Sequence, residues 1–215
     1  MNESPHPKQQ AFTLFTWTIF TAALLVPTAV WANNIGWSLS SVSLYSFFPL
    51  LGLIAWMMMW THYASGAFRI TNAGLKKPNH YSKVSNYIVL AAIVLHPGLL
   101  ALAAFQASGA LPPFSLYDYR SDLMLAVLLG TVGWFIFISY EYFSRAKNKP
   151  WVKKLGPAIS ISQSLAMILI FIHGLQLGAD LGGGWFRGLW IVYGALLLPC
   201  FYIIHKADFT KPSEK

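Results

Sequence analysis

Charged residues are missing from six long runs of the chain, and those runs set its architecture. They cover Ala11–Ala32, Ser43–Trp60, Val84–Ala107, Leu123–Tyr140, Ala158–Gly178 and Leu189–Ile204, and none holds Asp, Glu, Lys or Arg. An α-helix needs about 20 apolar residues to cross about 30 Å of hydrocarbon. The first, third and fifth runs reach that length. The other three fall a little short and draw on flanking Tyr, His or Trp at the interface. The pattern predicts an all-α polytopic membrane protein: a six-helix bundle over 11–206, with polar tails at 1–10 and 207–215. The first run resembles a secretory signal in its V-W-A ending, but it outlasts the usual core of about 7–15 residues. It reads as a retained helix.

Composition agrees with a lipid environment. Hydrophobic residues make up 56% of the 215, charged residues only 10%, and the mean hydropathy is +0.52; soluble domains carry about 25% charge. A net charge of +8 would suit nucleic acid, but its placement points elsewhere. Numbering the helices 1 to 6, the 2–3 loop holds Arg69, Lys76, Lys77 and Lys83, and the 4–5 loop holds Arg145, Lys147, Lys149, Lys153 and Lys154. With Lys8, Lys206, Lys211 and Lys215, thirteen basic residues fall on one side, against Arg120 and Arg187 on the other. The positive-inside rule then makes both termini cytoplasmic. The charge is a topology signal, and no nucleic-acid partner is expected. This fits a multi-pass protein of a bacterial cytoplasmic membrane, with the bilayer itself as main partner. Cys200 is the lone cysteine, which excludes an intrachain disulfide and CxxC chemistry.

Between the runs, "GALPPFSLYDYRSD" with Pro112–Pro113 reads as a semi-rigid cap. "GADLGGGWFRG" reads as flexible, with Trp185 and Arg187 placed to touch headgroups or a ligand. No internal repeat is visible. Neither a dinucleotide fingerprint nor a phosphate loop is present.

Of six histidines, His6 lies in the tail, His80 in a basic loop, and His62 and His205 at the cytoplasmic ends of helices 2 and 6. Only His96, in "LHPGLL", and His173, in "FIHGLQ", lie deep inside apolar runs. His96 stands about 12 residues, or about 18 Å, above the start of its run, and His173 about 15 residues, or about 23 Å. Helices 3 and 5 run in the same direction, so the two rings lie at similar depth. That is the arrangement needed to hold a planar metal macrocycle from both faces, since neutral imidazole is an axial ligand of haem iron. Intramembrane ionisable residues are functional candidates by default. The plainer reading is that each ring hydrogen-bonds to a neighbouring helix, gaining about 0.6 kcal/mol. Gly98 and Gly174 follow the histidines, and Gly130 and Gly133 lie in helix 4, all small enough for close approach. Pro97 should bend helix 3.

"VSNYIVLAAIVLHPGLLAL" on helix 3, "PWVKKLGPAISISQSLAMILIFIHG" on helix 5 and the link "FISYEYFSRAKNKPW" resemble the ferric reductase-like transmembrane domain family. Its relatives include the membrane part of NADPH oxidases and the haem-bearing partner of a bacterial methionine sulfoxide reductase. The resemblance implies a six-helix bundle binding haem b, with His96 and His173 as axial ligands of the outer haem; Pro97, Gly98 and Gly174, which flank them, are the candidate pocket residues. The family's inner ligand pair would fall on Ser82 or Lys83 and on Ile159 or Ser160, none of them a haem ligand. One haem is therefore expected. His62, His80 and His205 form a candidate second site, for another cofactor or a quinone.

The favoured function is a membrane haem-b electron-transfer protein, an oxidoreductase component whose electrons come from a quinol or a separate reductase subunit. The acceptor, a periplasmic partner protein among the options, would lie on the outer side. The alternative is a cofactor-free transporter, channel or assembly factor. For that reading the polar candidates are Asn86, Ser160, Ser162, Gln163, Ser164 and Gln176, with no carboxylate or arginine inside a run.

Overall fold

In lipid every backbone N–H and C=O must find a partner within its own segment, so apolar runs of this length propagate as helix. The structure, a computed structural model, describes residues 7–38, 40, 42–111, 123–146 and 148–210. Six helices carry them: α1 (Pro7–Asn34), α2 (Phe47–Thr71), α3 (Asn79–Ser108), α4 (Met124–Arg145), α5 (Pro150–Leu177) and α6 (Gly184–Thr210). All six are long and apolar enough to cross a membrane, and no strand occurs among the described residues. The cap at Pro112–Pro113, with Arg120, lies outside those residues, as do His6, Lys147, Lys211 and Lys215.

The helices outrun the charge-free stretches. α2 continues from Trp60 to Thr71, and α5 starts at Pro150 rather than at Ala158. A helix need not stop where lipid does, and Pro150 occupies a first-turn position that lacks an intrahelical donor bond anyway. α3 passes unbroken through Pro97. His62 therefore lies well inside α2 rather than at its end.

The chain groups into two compact units, residues 1–100 and 101–215, divided inside α3 where the sequence offers no boundary. In the first unit, Phe12, Thr16, Phe20, Ala23, Pro27 and Trp31 form the buried stripe of α1 at helical spacing. The run Ala55 to Thr61 of α2 is buried throughout. Phe68 stacks on Phe12, with centroids 5.6 Å apart. Gln9 pins the start of α1 to the 2–3 loop, donating to the Lys76 carbonyl (2.9 Å) and accepting from its N–H (2.8 Å). In the second unit, Gly133 lets α4 approach α5 closely: an added Cβ would meet Ile170 Cγ1 at 2.7 Å. Phe171 of α5 stacks on Trp190 of α6, whose indole N–H donates to the Phe171 carbonyl at 3.3 Å.

Large apolar side chains such as Leu14, Leu125, Phe135 and Leu198 remain more than half exposed. On a chain of this hydropathy, such surfaces suit hydrocarbon.

Candidate functional site: two anchored histidines

His96 is presented by α3 and held by α2, within the first unit. Its Nδ1 lies 2.7 Å from the Phe48 carbonyl oxygen. A carbonyl can only accept, so Nδ1 carries the proton and Nε2 carries the ring's lone pair. The Phe48 ring stacks on the imidazole at 4.2 Å with the planes 7° apart. Gly52 lies beneath it: a Cβ there would meet His96 Cε1 at 2.7 Å and Nδ1 at 3.0 Å.

His173 is presented by α5 and held by α4, within the second unit. Its Nδ1 lies 2.8 Å from the Ala126 carbonyl oxygen, fixing the same tautomer. Gly130 lies beneath this ring, where a Cβ would meet Cε1 at 2.6 Å.

Two helix pairs thus repeat one device, which the sequence did not disclose as a repeat. In each, a carbonyl on the earlier helix accepts from Nδ1, and a glycine four residues later makes room. The reason is geometric. Helical Cα–Cβ bonds tilt toward the N-terminus, so the side chain at i+4 covers the turn that carries carbonyl i. With no Cβ at Gly52 or Gly130, the second lone pair of the Phe48 or Ala126 oxygen is open to an imidazole.

The hydrogen bond at each ring, taken by itself, bears on whether that histidine could ligate a metal such as haem iron. Metal-ligating histidines typically donate their other ring N–H to a carbonyl, carboxylate or water, which sets the tautomer and raises ligand basicity. Each ring has that bond at Nδ1, so Nε2 is the nitrogen that could act as a ligand. The same bonds also meet part of each ring's polarity without a metal.

The other expected residues fall differently. A Cβ at Gly98 would meet nothing within 4 Å, whereas one at Gly174 would meet Trp190 Cζ2 at 3.0 Å, which makes Gly174 an α5–α6 packing position. Trp185 is exposed, but Arg187 is turned inward: its Nη1 donates to the carbonyls of Leu181 (2.8 Å) and Leu175 (3.3 Å). The glycine-rich stretch before it is ordered as a 3-10 turn at Ala179–Leu181, with Leu181 fully buried.

His62, with its Nε2 buried and lacking a hydrogen-bond partner, sits 5.3 Å from the Tyr81 ring. His80 is exposed. His205 Nε2 pairs with Ser164 Oγ at 3.0 Å, and Ser160 donates to Asp208 at 3.0 Å. No group of three or more His, Cys, Asp or Glu able to hold a metal occurs among the described residues. The polar residues of α5 mostly join helices: Gln163 donates to the Ile136 carbonyl of α4 at 3.3 Å, and Ser160 and Ser164 face α6.

No family model, curated protein or solved structure matches the chain, so nothing identifies the ferric reductase-like family.

Proposed function

We propose that the chain is a membrane electron-transfer protein of a bacterial cytoplasmic membrane that binds one haem b, with His96 and His173 as its axial ligands. The observation that carries this reading is the tautomer shared by the two rings, each set by a backbone carbonyl at Nδ1. When bound, haem supplies one-electron redox chemistry, while axial ligation, burial and second-shell hydrogen bonds set its potential. The Phe48 and Ala126 carbonyls strengthen the two imidazoles as donors and hold their orientation. A quinol or a separate reductase subunit is the proposed electron source. The acceptor lies on the outer face, where a periplasmic protein can reach it.

The test is a reduced-minus-oxidised spectrum of the purified protein with a haem-to-protein ratio. A sharp low-spin b-type band at one haem per chain is expected. His96→Ala and His173→Ala should each abolish it, and His205→Ala should leave it intact. A folded protein that takes up no haem, or that keeps the band in both single variants, defeats the assignment.

A further inference from the structure

We propose that Gly52 and Gly130 are positioning residues: each is a ring seat that selects the Nδ1–H tautomer of the histidine above it. The geometry is duplicated to within one residue. The carbonyl-to-histidine separation is 48 residues in the first pair and 47 in the second, with the glycine four residues past the carbonyl each time. The other local side chains do not recur. Phe48 is answered by Ala126 and Pro97 by Gly174. What the two pairs share is a backbone acceptor, a missing Cβ and an imidazole.

A Cβ at either glycine would lie inside the ring's contact distance, closer than real Cβ contacts allow. The ring would have to swing away, and α2 or α4 would again shield its carbonyl. The neutral imidazole then loses the acceptor that fixes its proton, and Nε2 no longer carries the lone pair by necessity. The seats' purpose, presenting Nε2 to iron, rests on the haem reading above; their effect on the tautomer does not.

The experiment uses full-length, haem-free protein labelled with 15N at histidine, at a pH where the rings are neutral. Nitrogen shifts report which ring atom bears the proton. The folded wild type should show Nδ1–H at His96 and His173. Gly52→Ala should remove that signature from His96 alone, and Gly130→Ala from His173 alone. Gly98→Ala, beside His96 but in open space, should change neither. A double-mutant cycle separates the seat from general helix packing. The unfolding constant raised by Gly52→Ala should rise about tenfold less in a His96→Ala background, where no ring remains to displace. The same holds for Gly130→Ala with His173→Ala. If Gly52→Ala alone fails to fold, recovery in the double variant supports the seat, and failure of both overturns it. Retention of the Nδ1–H signature in folded Gly52→Ala also overturns it. A wild type that shows both signatures yet binds no haem would sink the functional proposal and leave the seats standing.

Discussion

Arg187 offers a sharp test of how the top of α5 is held. α5 ends at Leu177; the Gly174 carbonyl is capped by the Gly178 N–H at 2.8 Å, but those after it lack an i+4 donor of the helix. Arg187 Nη1 meets one of them, at Leu175, and also reaches Leu181 in the following 3-10 turn. A cation at a helix C-terminus is favoured by the helix dipole as well. The 2.8 Å bond to Leu181 has ordinary strong geometry, while the 3.3 Å bond to Leu175 is long. Hydrogen bonds to charged groups contribute about 1.5–3 kcal/mol in soluble proteins, and side-chain bonds in membranes average nearer 0.6 kcal/mol. Arg187→Ala should therefore cost about 2 kcal/mol. Because both bonds come from a single nitrogen, a lysine ammonium can replace part of them, and Arg187→Lys should cost less than half as much. Reversible unfolding in mixed micelles, followed by tryptophan fluorescence, measures both. If Arg187→Ala leaves the unfolding free energy within about 0.5 kcal/mol of wild type, the inward hydrogen bonds are not what this residue is for. A headgroup or ligand contact would then be the better account.

Two further stability effects follow from the packing. Thr61 donates to the Met58 carbonyl at 2.7 Å, so Tyr81, fully buried and 2.5 Å away, must donate to Thr61. Tyr81→Phe removes a donor and should cost about 1 kcal/mol; Thr61→Val takes the phenol's acceptor, leaves it Ser65 as its other side-chain partner, and should cost more. Equal costs in the same unfolding assay would mean that Ser65 takes over as the acceptor. Gly174→Ala should destabilise by pressing on Trp190, whereas Gly98→Ala should be neutral or stabilising by up to about 1 kcal/mol through helix propensity. The reverse order would mean that the α5–α6 contact is not close.

The six helices were legible because lipid makes charge expensive and broken backbone more so. Long charge-free runs have few alternatives. Their ends were not legible, since Thr61–Thr71 and Pro150–Pro157 carry polar, charged or imino residues yet stay helical once the helix leaves the apolar zone. His96 and His173 stood out by their surroundings. What holds them did not, because a backbone carbonyl carries no letter in the sequence. Gly130 was visible as a small residue, and Gly52 looked like any other glycine in an apolar run. The spacing of residue, three positions, glycine gains meaning only once a particular histidine is known to face that turn. The repeat escaped for the same reason: its sequence trace is one glycine and one histidine per helix pair. The partners of Arg187 were not legible either: a charge after a glycine-rich stretch suggests exposure, while the turn folds back and supplies it with carbonyls.

Magnitudes bear on why the histidines are there. As simple helix glue, each imidazole would gain about 0.6 kcal/mol from its carbonyl bond. The seat beneath it requires a glycine in a helix interior, which costs about 0.8–1.0 kcal/mol relative to alanine in soluble hosts. On the hydrogen bond alone the arrangement loses about as much as it gains, and at His96 the stacked Phe48 ring adds to the gain. Serine or threonine could bond back to a carbonyl of its own helix, as Thr16 does to Phe12 at 2.8 Å, with no seat at all. The imidazole is the side chain here that satisfies a carbonyl with one nitrogen while offering a lone pair on the other. The device occurs in two helix pairs and fixes the same nitrogen each time. That recurrence is what supports the proposal that His96 and His173 ligate haem iron.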